Sequence, residues 1–247
     1  MTARTLTCLI ETLETLSPEI YRVFLRGEPD EVMHAPGQYL EVRIDDAWVP
    51  FSIANAPDSA GTLELHIQYV ATSESSLRLF EMLRAGQTLD IRLASGECVF
   101  ELDDPRPLLL IAAGTGFAQM KAIIEAALAH DPSRVIELWW AGRQREDLYL
   151  ESLPRHWAER YPQFSFYPVI EQPGEHSFDG VVARIDHALS ERVSSTRDAS
   201  IFISGSPGMV YAVVDTLEAI EPLTERVFSD VFSYAPRDTP PSARGQS

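Results

Sequence analysis

The chain has 247 residues, 45% of them hydrophobic and 23% charged, which supplies a real core and excludes extensive disorder. Its formal charge of −17 excludes a nucleic-acid partner and an anionic membrane surface, because both are gripped by clustered Lys and Arg. Two cysteines, Cys8 and Cys98, cannot supply a four-thiolate iron–sulfur cluster or a disulfide framework.

Residues 1–14 are mixed polar and lack the apolar centre of a secretory leader. No run approaches the roughly eighteen apolar residues of a membrane span, so a cytoplasmic protein is the expectation. Short alternating segments then predict strands over 6–10, 21–25, 39–44, 63–67 and 89–93. Turn signals such as Ser17-Pro18, Ala35-Pro36-Gly37 and Ala60-Gly61 separate them, as in an antiparallel barrel or sandwich. One amphipathic helix interrupts the series near 75–84, with Phe80, Met82 and Leu83 at core spacing and Thr72-Ser73-Glu74-Ser75-Ser76 as its capping segment.

After Asp103-Asp104-Pro105-Arg106-Pro107 the rhythm changes. A continuous apolar run at 108–112 reads as a parallel strand buried on both faces, followed by a glycine loop and a helix over 118–129. Further strands are expected at 135–140, 164–170, 200–203 and 227–232, with helices at 148–160, 180–189 and 207–219. Strand alternating with helix implies a doubly wound parallel sheet. The expected division is a first domain over 1–103, an α/β domain over 104–234, and a tail over 235–247 with no apolar anchor, expected to be disordered.

Three segments carry chemistry. Ala113-Gly114-Thr115-Gly116-Phe117 lies between a buried strand and a helix. Its glycines let another molecule approach the backbone, and the free N–H groups of the following helix suit a pyrophosphate; the alternative is a tight turn without a ligand. The loop matches neither the three-glycine dinucleotide fingerprint nor the Walker pattern. Val49-Pro50-Phe51-Ser52-Ile53-Ala54-Asn55 lies in the first half, where Pro50 marks an edge or irregular strand and Ser52 offers a hydroxyl; taken alone it reads as an ordinary strand end. Ser204-Gly205-Ser206-Pro207 is a second strand-to-helix loop, so two loops converge where open α/β sheets bind ligands.

These segments, in this order, resemble the ferredoxin–NADP⁺ reductase superfamily, most closely its small NAD(P)H:flavin oxidoreductases (flavin reductases), over about 6–234. Val49-Pro50-Phe51-Ser52 stands where the family has Arg-x-Tyr/Phe-Ser/Thr, and Ala113-Gly114-Thr115-Gly116 where it has Gly-Gly-Thr-Gly. Trp140-Ala141-Gly142-Arg143 with Glu146-Asp147-Leu148-Tyr149 looks like its second nucleotide-side segment. The resemblance implies a six-stranded antiparallel flavin-binding barrel, then an NAD(P)H-binding domain, with hydride passing from nicotinamide C4 to flavin N5. It implies Ser52 as the catalytic hydrogen-bonding group, and contacts from Pro50, Phe51, Ile53, Ala54, Gly114, Thr115, Gly116, Phe117, Ser204, Gly205 and Tyr234. Arg143 would touch the adenosine-side ribose or 2′-phosphate, or pair with Glu146 or Asp147; His66, in an alternating strand, is a flavin contact or a structural histidine. No metal is called for.

Two departures stand out. Val49 replaces an arginine that would grip flavin phosphate, and Ser204 stands where many members carry cysteine. The missing arginine favours FMN, FAD or riboflavin as a diffusible substrate reduced by NADH or NADPH. A flavin-dependent monooxygenase or ferric iron would be the downstream acceptor. The alternatives are an FAD-bound electron-transfer subunit with a protein partner, or a non-catalytic nucleotide-binding module.

Overall fold

A computed structural model describes residues 4–174, 177–223 and 225–237. Six strands form the first half: β1 (Arg4–Thr15), β2 (Ile20–Arg26), β3 (Tyr39–Ile44), β4 (Ala47–Ser52), β5 (Thr62–Gln68) and β6 (Thr88–Ser95). All pair antiparallel, in the order β4-β3-β6-β1-β2-β5. Alternation turns Val23, Leu25, Val42, Leu63, Leu65 and Ile91 into a shared interior. The sheet curls shut beyond β4, where Ile53 bridges to Leu65 and the Ala54 N–H donates to the Glu64 carbonyl at 2.7 Å. The helix α1 (Glu74–Ala85) closes one end through Leu79, Phe80 and Leu83. Ser73 caps it by accepting from the Ser76 N–H, as the sequence suggested.

The second half is a parallel sheet of β7 (Leu108–Ala113), β8 (Ile136–Gly142), β9 (Phe164–Ile170), β10 (Val181–Val182), β11 (Ser200–Ser204) and β12 (Val227–Phe228), ordered β10-β9-β8-β7-β11-β12. On β7, Leu108, Leu110 and Ala112 pack towards α2 (Phe117–His130) and α3 (Ser152–Arg160). Leu109 and Ile111 face the opposite layer of α4 (Ile185–Arg192) and α5 (Pro207–Ile220). The chain runs outward from β7 to β10 and then returns to the other side of β7, so the order reverses between β7 and β11.

The expectation for Pro50 is an edge or irregular strand, and β4 is the terminal strand of the six, with Pro50 opposite Glu41 of β3. Several other expectations are corrected. The run 227–232 is a strand only at β12, then turns into the short helix α6 (Val231–Tyr234). The helix expected at 148–160 begins at Ser152, because Pro154 has no N–H to bond a preceding turn. That expected at 180–189 starts later, since Val181 and Val182 extend the sheet beside β9. Of the expected tail, Ala235–Arg237 is attached: Arg237 pairs with Asp215 on α5 and the Tyr211 hydroxyl donates to the Ala235 carbonyl. The remainder, 238–247, lies outside the described residues. No helix among the described residues is long and apolar enough to cross a membrane.

Candidate functional site

A cleft of about 720 Å³ lies between the two halves, at the carboxyl ends of β7 and β11 where the strand order reverses. Crevices at such reversals are where open α/β sheets hold ligands, and this volume suits a small organic molecule.

The barrel supplies one wall. Pro50 and Ser52 of β4 sit in register with Glu41 and Tyr39 of β3, and all four line the cleft with Phe51. Val49 and Phe51 also pack against the barrel interior. The Ser52 hydroxyl makes no hydrogen bond among the described residues.

The α/β half supplies the other wall. Gly114 has φ 53° and nothing within 4 Å of where a Cβ would stand, so its left-handed backbone lies open. Trp140 Nε1 steadies this turn by donating to the Gly114 carbonyl at 3.0 Å. Gly116 is glycine for a different reason: a Cβ there would lie 2.3 Å from the Ser204 carbonyl oxygen. That contact brings the loop after β7 against the loop after β11, so Thr115, Ser204 and Gly205 share the cleft. The helix α2 begins there without a side-chain cap, its Phe117 N–H donating to the Gly114 and Thr115 carbonyls of the preceding turn.

The C-terminal arm closes the site with Ser229, Asp230 and Val231, and with the exposed Tyr234 at the rim. Gln119 Nε2 donates to Asp230 Oδ2 at 2.8 Å and to the Gly37 carbonyl at 2.6 Å. Burial pushes the Asp230 carboxyl above its ordinary range, against the opposing pull of Gln119. Ser229 lines the cleft, and its buried Oγ has no hydrogen-bond partner among the described residues.

His66 also lines the cleft. Its Nε2 lies 2.9 Å from Glu64 Oε1 and its Nδ1 2.9 Å from the Tyr149 hydroxyl. Burial lowers its pKa despite Glu64, which favours the neutral ring at neutral pH. Nε2 then carries the proton for the carboxylate, and Nδ1 accepts from Tyr149.

The structure thus brings together ten residues expected from sequence: Pro50, Phe51, Ser52 and His66 from the barrel, and Gly114, Thr115, Gly116, Ser204, Gly205 and Tyr234 from the second half. Four others are placed elsewhere. Ile53 and Ala54 are buried where the barrel closes, and Phe117 is buried with its ring stacked 3.9 Å from that of Trp140. Arg143 is exposed beyond β8 and outside the cleft, its N–H held by Asp147 at 2.7 Å. Sequence reasoning missed Tyr39, Glu41, Gln68, Gln119, Ser229 and Asp230. They are polar residues of ordinary strand and helix patterns, and no local signal marks them.

The donor set fits a flat, polar heteroaromatic ring: an unbonded Ser52 hydroxyl and an open Gly114 backbone face one space. No Lys or Arg lines it among the described residues, whereas Glu41 and Asp230 do.

Residues 8–100 match the family of oxidoreductase FAD-binding domains, and 110–215 that of oxidoreductase NAD-binding domains. A Comamonas terephthalate 1,2-dioxygenase reductase component is 32% identical over 81% of this chain, which spans only 60% of that relative's length. The NAD(P)H-flavin reductase of Vibrio harveyi is 29% identical over 93% of this chain and 99% of its own. Among solved structures, the Amycolatopsis cytochrome P450 reductase superposes with TM-score 0.82 at 30% identity, covering 92% of this chain and 69% of the other. With a six-stranded antiparallel barrel, a parallel sheet behind it and matched FAD- and NAD-binding halves, this chain belongs to the ferredoxin–NADP⁺ reductase superfamily of flavin-binding NAD(P)H oxidoreductases.

Proposed function

We propose that the chain is an NAD(P)H-dependent flavin reductase whose flavin is a diffusible substrate. The observation that carries this reading is the charge of the cleft: its described lining holds two carboxylates and no cation. A flavin phosphate would find no guanidinium or ammonium there, so the site recognises the ring and lets the molecule leave. Hydride passes from nicotinamide C4 to flavin N5, and with one proton the products are NAD(P)⁺ and reduced flavin. Ser52 donates to the accepting ring nitrogen, Gly114, Thr115 and the start of α2 hold the nucleotide, and the protein supplies orientation rather than an acid or metal. Arg143, exposed beyond β8 and in no ion pair among the described residues, is proposed to meet the adenosine-side ribose or 2′-phosphate. Reduced flavin would then serve a flavin-dependent monooxygenase or ferric iron.

A relative matched over nearly its whole length is named an NAD(P)H-flavin reductase, which supports this reading. A second reading, an FAD-bound reductase passing electrons to a protein partner, is favoured by the terephthalate dioxygenase reductase likeness. A visible spectrum before and after anaerobic addition of FMN and NADH separates them. A colourless protein that bleaches added FMN supports the reductase; a yellow protein whose own flavin is bleached by NADH supports the second reading. Absence of turnover with riboflavin, FMN and FAD alike would sink the first.

A further inference from the structure

Beside the cleft, and reaching it at His66, a chain of buried polar groups joins the two halves. Lys121 is on α2, which starts at the glycine loop, and is 5% exposed. Its ammonium has three protons and three acceptors: the Ala54 carbonyl at 3.1 Å, Glu64 Oε2 at 2.7 Å and Glu125 Oε1 at 2.8 Å. Ala54 lies two residues beyond Ser52, and Glu64 two residues before His66. One ammonium on the nucleotide half thus gauges the position of both barrel segments that face the cleft. The second carboxylate oxygen of Glu64 holds His66, and His66 holds Tyr149 of the nucleotide half. Both ends of the chain are therefore anchored on the second half, with Glu64 and His66 of β5 between them.

A buried ion pair is a weak source of stability compared with a packed apolar contact of the same size. Apolar surfaces can slide past each other, whereas three directed N–H bonds fix both translation and rotation. Transfer between two bound molecules needs the reacting atoms about 3–3.5 Å apart, and a misplacement of about 1 Å can cost on the order of 100-fold.

We propose that Lys121, Glu64 and Tyr149 are positioning residues for hydride transfer, forming a clasp that fixes the barrel's flavin-facing strands against the nucleotide loop. The proposal rests on the flavin-reductase reading for the reaction, but its geometry can be read without turnover.

The test compares the parent with a Glu64→Gln, Lys121→Met double variant, which removes both charges and keeps side-chain length. Spin labels at Asp46→Cys and Glu159→Cys, both exposed and on opposite halves, report the inter-half distance while Cys8 and Cys98 stay buried. The expected result is a narrow distance distribution in the parent and a broadened one in the variant. Hydride transfer should slow about 10- to 100-fold with KM for NADH and flavin within about twofold, and the isotope effect from 4-deuterated NADH should rise. An unchanged width, or a transfer rate within about twofold of the parent, overturns the clasp. If the double variant does not fold, Tyr149→Phe removes only the hydroxyl given to His66; it should broaden the distribution and slow transfer several-fold, and no change in either overturns the proposal. A parent inert with every flavin counts against the flavin-reductase reading, while the distance distribution still decides the clasp.

Discussion

Gly114 and Gly116 stand two residues apart and answer to different constraints. At Gly116 an added methyl would strike the Ser204 carbonyl oxygen, which is backbone and cannot swing away. Gly116→Ala should therefore cost about 1–3 kcal/mol of stability by overpacking and spread the two loops. Gly114→Ala meets no atom but must hold φ 53°, a backbone strain of about 1–2 kcal/mol, with its methyl entering open space at the loop. Chemical denaturation should show both losses. The nucleotide KM should rise for Gly114→Ala as well, and an unchanged value would make this loop a turn and nothing more. Ser52 tests the opposite wall. Its hydroxyl has no partner within the described protein, so Ser52→Ala should leave the fold and nucleotide affinity intact. Stopped-flow hydride transfer should fall on the order of 100-fold if the hydroxyl stabilises the accepting ring. Equal rates would remove Ser52 from the chemistry.

At the scale of elements, β4 joins site to scaffold. Its two faces differ: Pro50 and Ser52 meet the cleft, while Val49 packs against the barrel interior with Phe51, which reaches both. With no cation on the cleft wall, Val49→Arg should lower the dissociation constants of FMN and FAD relative to riboflavin, as its long stem follows the barrel edge outward. Fluorescence titration with the three flavins checks this, and an unaltered order of affinity refutes it. β4 also shows what the sequence conveyed and what it did not. Residues 47–52 lack clean alternation and contain a proline, so their strand character depends on pairing with β3 rather than on any local signal. By contrast β7 was legible from five consecutive apolar residues, and α5 from Ser206 and Pro207 at its start. The glycine loops were legible because their constraint is local. Asp230 was not, since its partner Gln119 is 111 residues away and nothing near Ser229-Asp230 announces a turn. A hydrophobic pattern reports which face is buried. It cannot report which polar residues a distant arm will bring to the same space.

For the molecule as a whole, the chain of Lys121, Glu64, His66 and Tyr149 ties stability to pH. Burial dominates at His66 and lowers its pKa from 6.5, outweighing the pull of Glu64. Below pH 6.5 the unfolded chain takes up a proton there while the folded one does not, so stability falls as pH drops into that window. At Glu64 burial acts upward, but the His66 hydrogen bond and the Lys121 charge together hold the carboxyl below 4.5. Its contribution is present above 4.5 and is lost as pH falls through the folded value, which extends the same trend to lower pH. Asp230 works the other way: raised above 3.8 by burial, it favours the folded state at low pH and loses that contribution as pH rises. Acidification also relieves self-repulsion in a chain of formal charge −17, and that relief stabilises the compact state. The net slope of melting temperature against pH therefore mixes terms of both signs. His66→Gln isolates one of them, keeping a donor for Glu64 while removing the titration. Between pH 7 and 5 the parent should lose more stability than this variant, since the charge relief is common to both. Parallel curves over that interval would mean that His66 contributes nothing to the acid response and that the slope belongs to groups elsewhere.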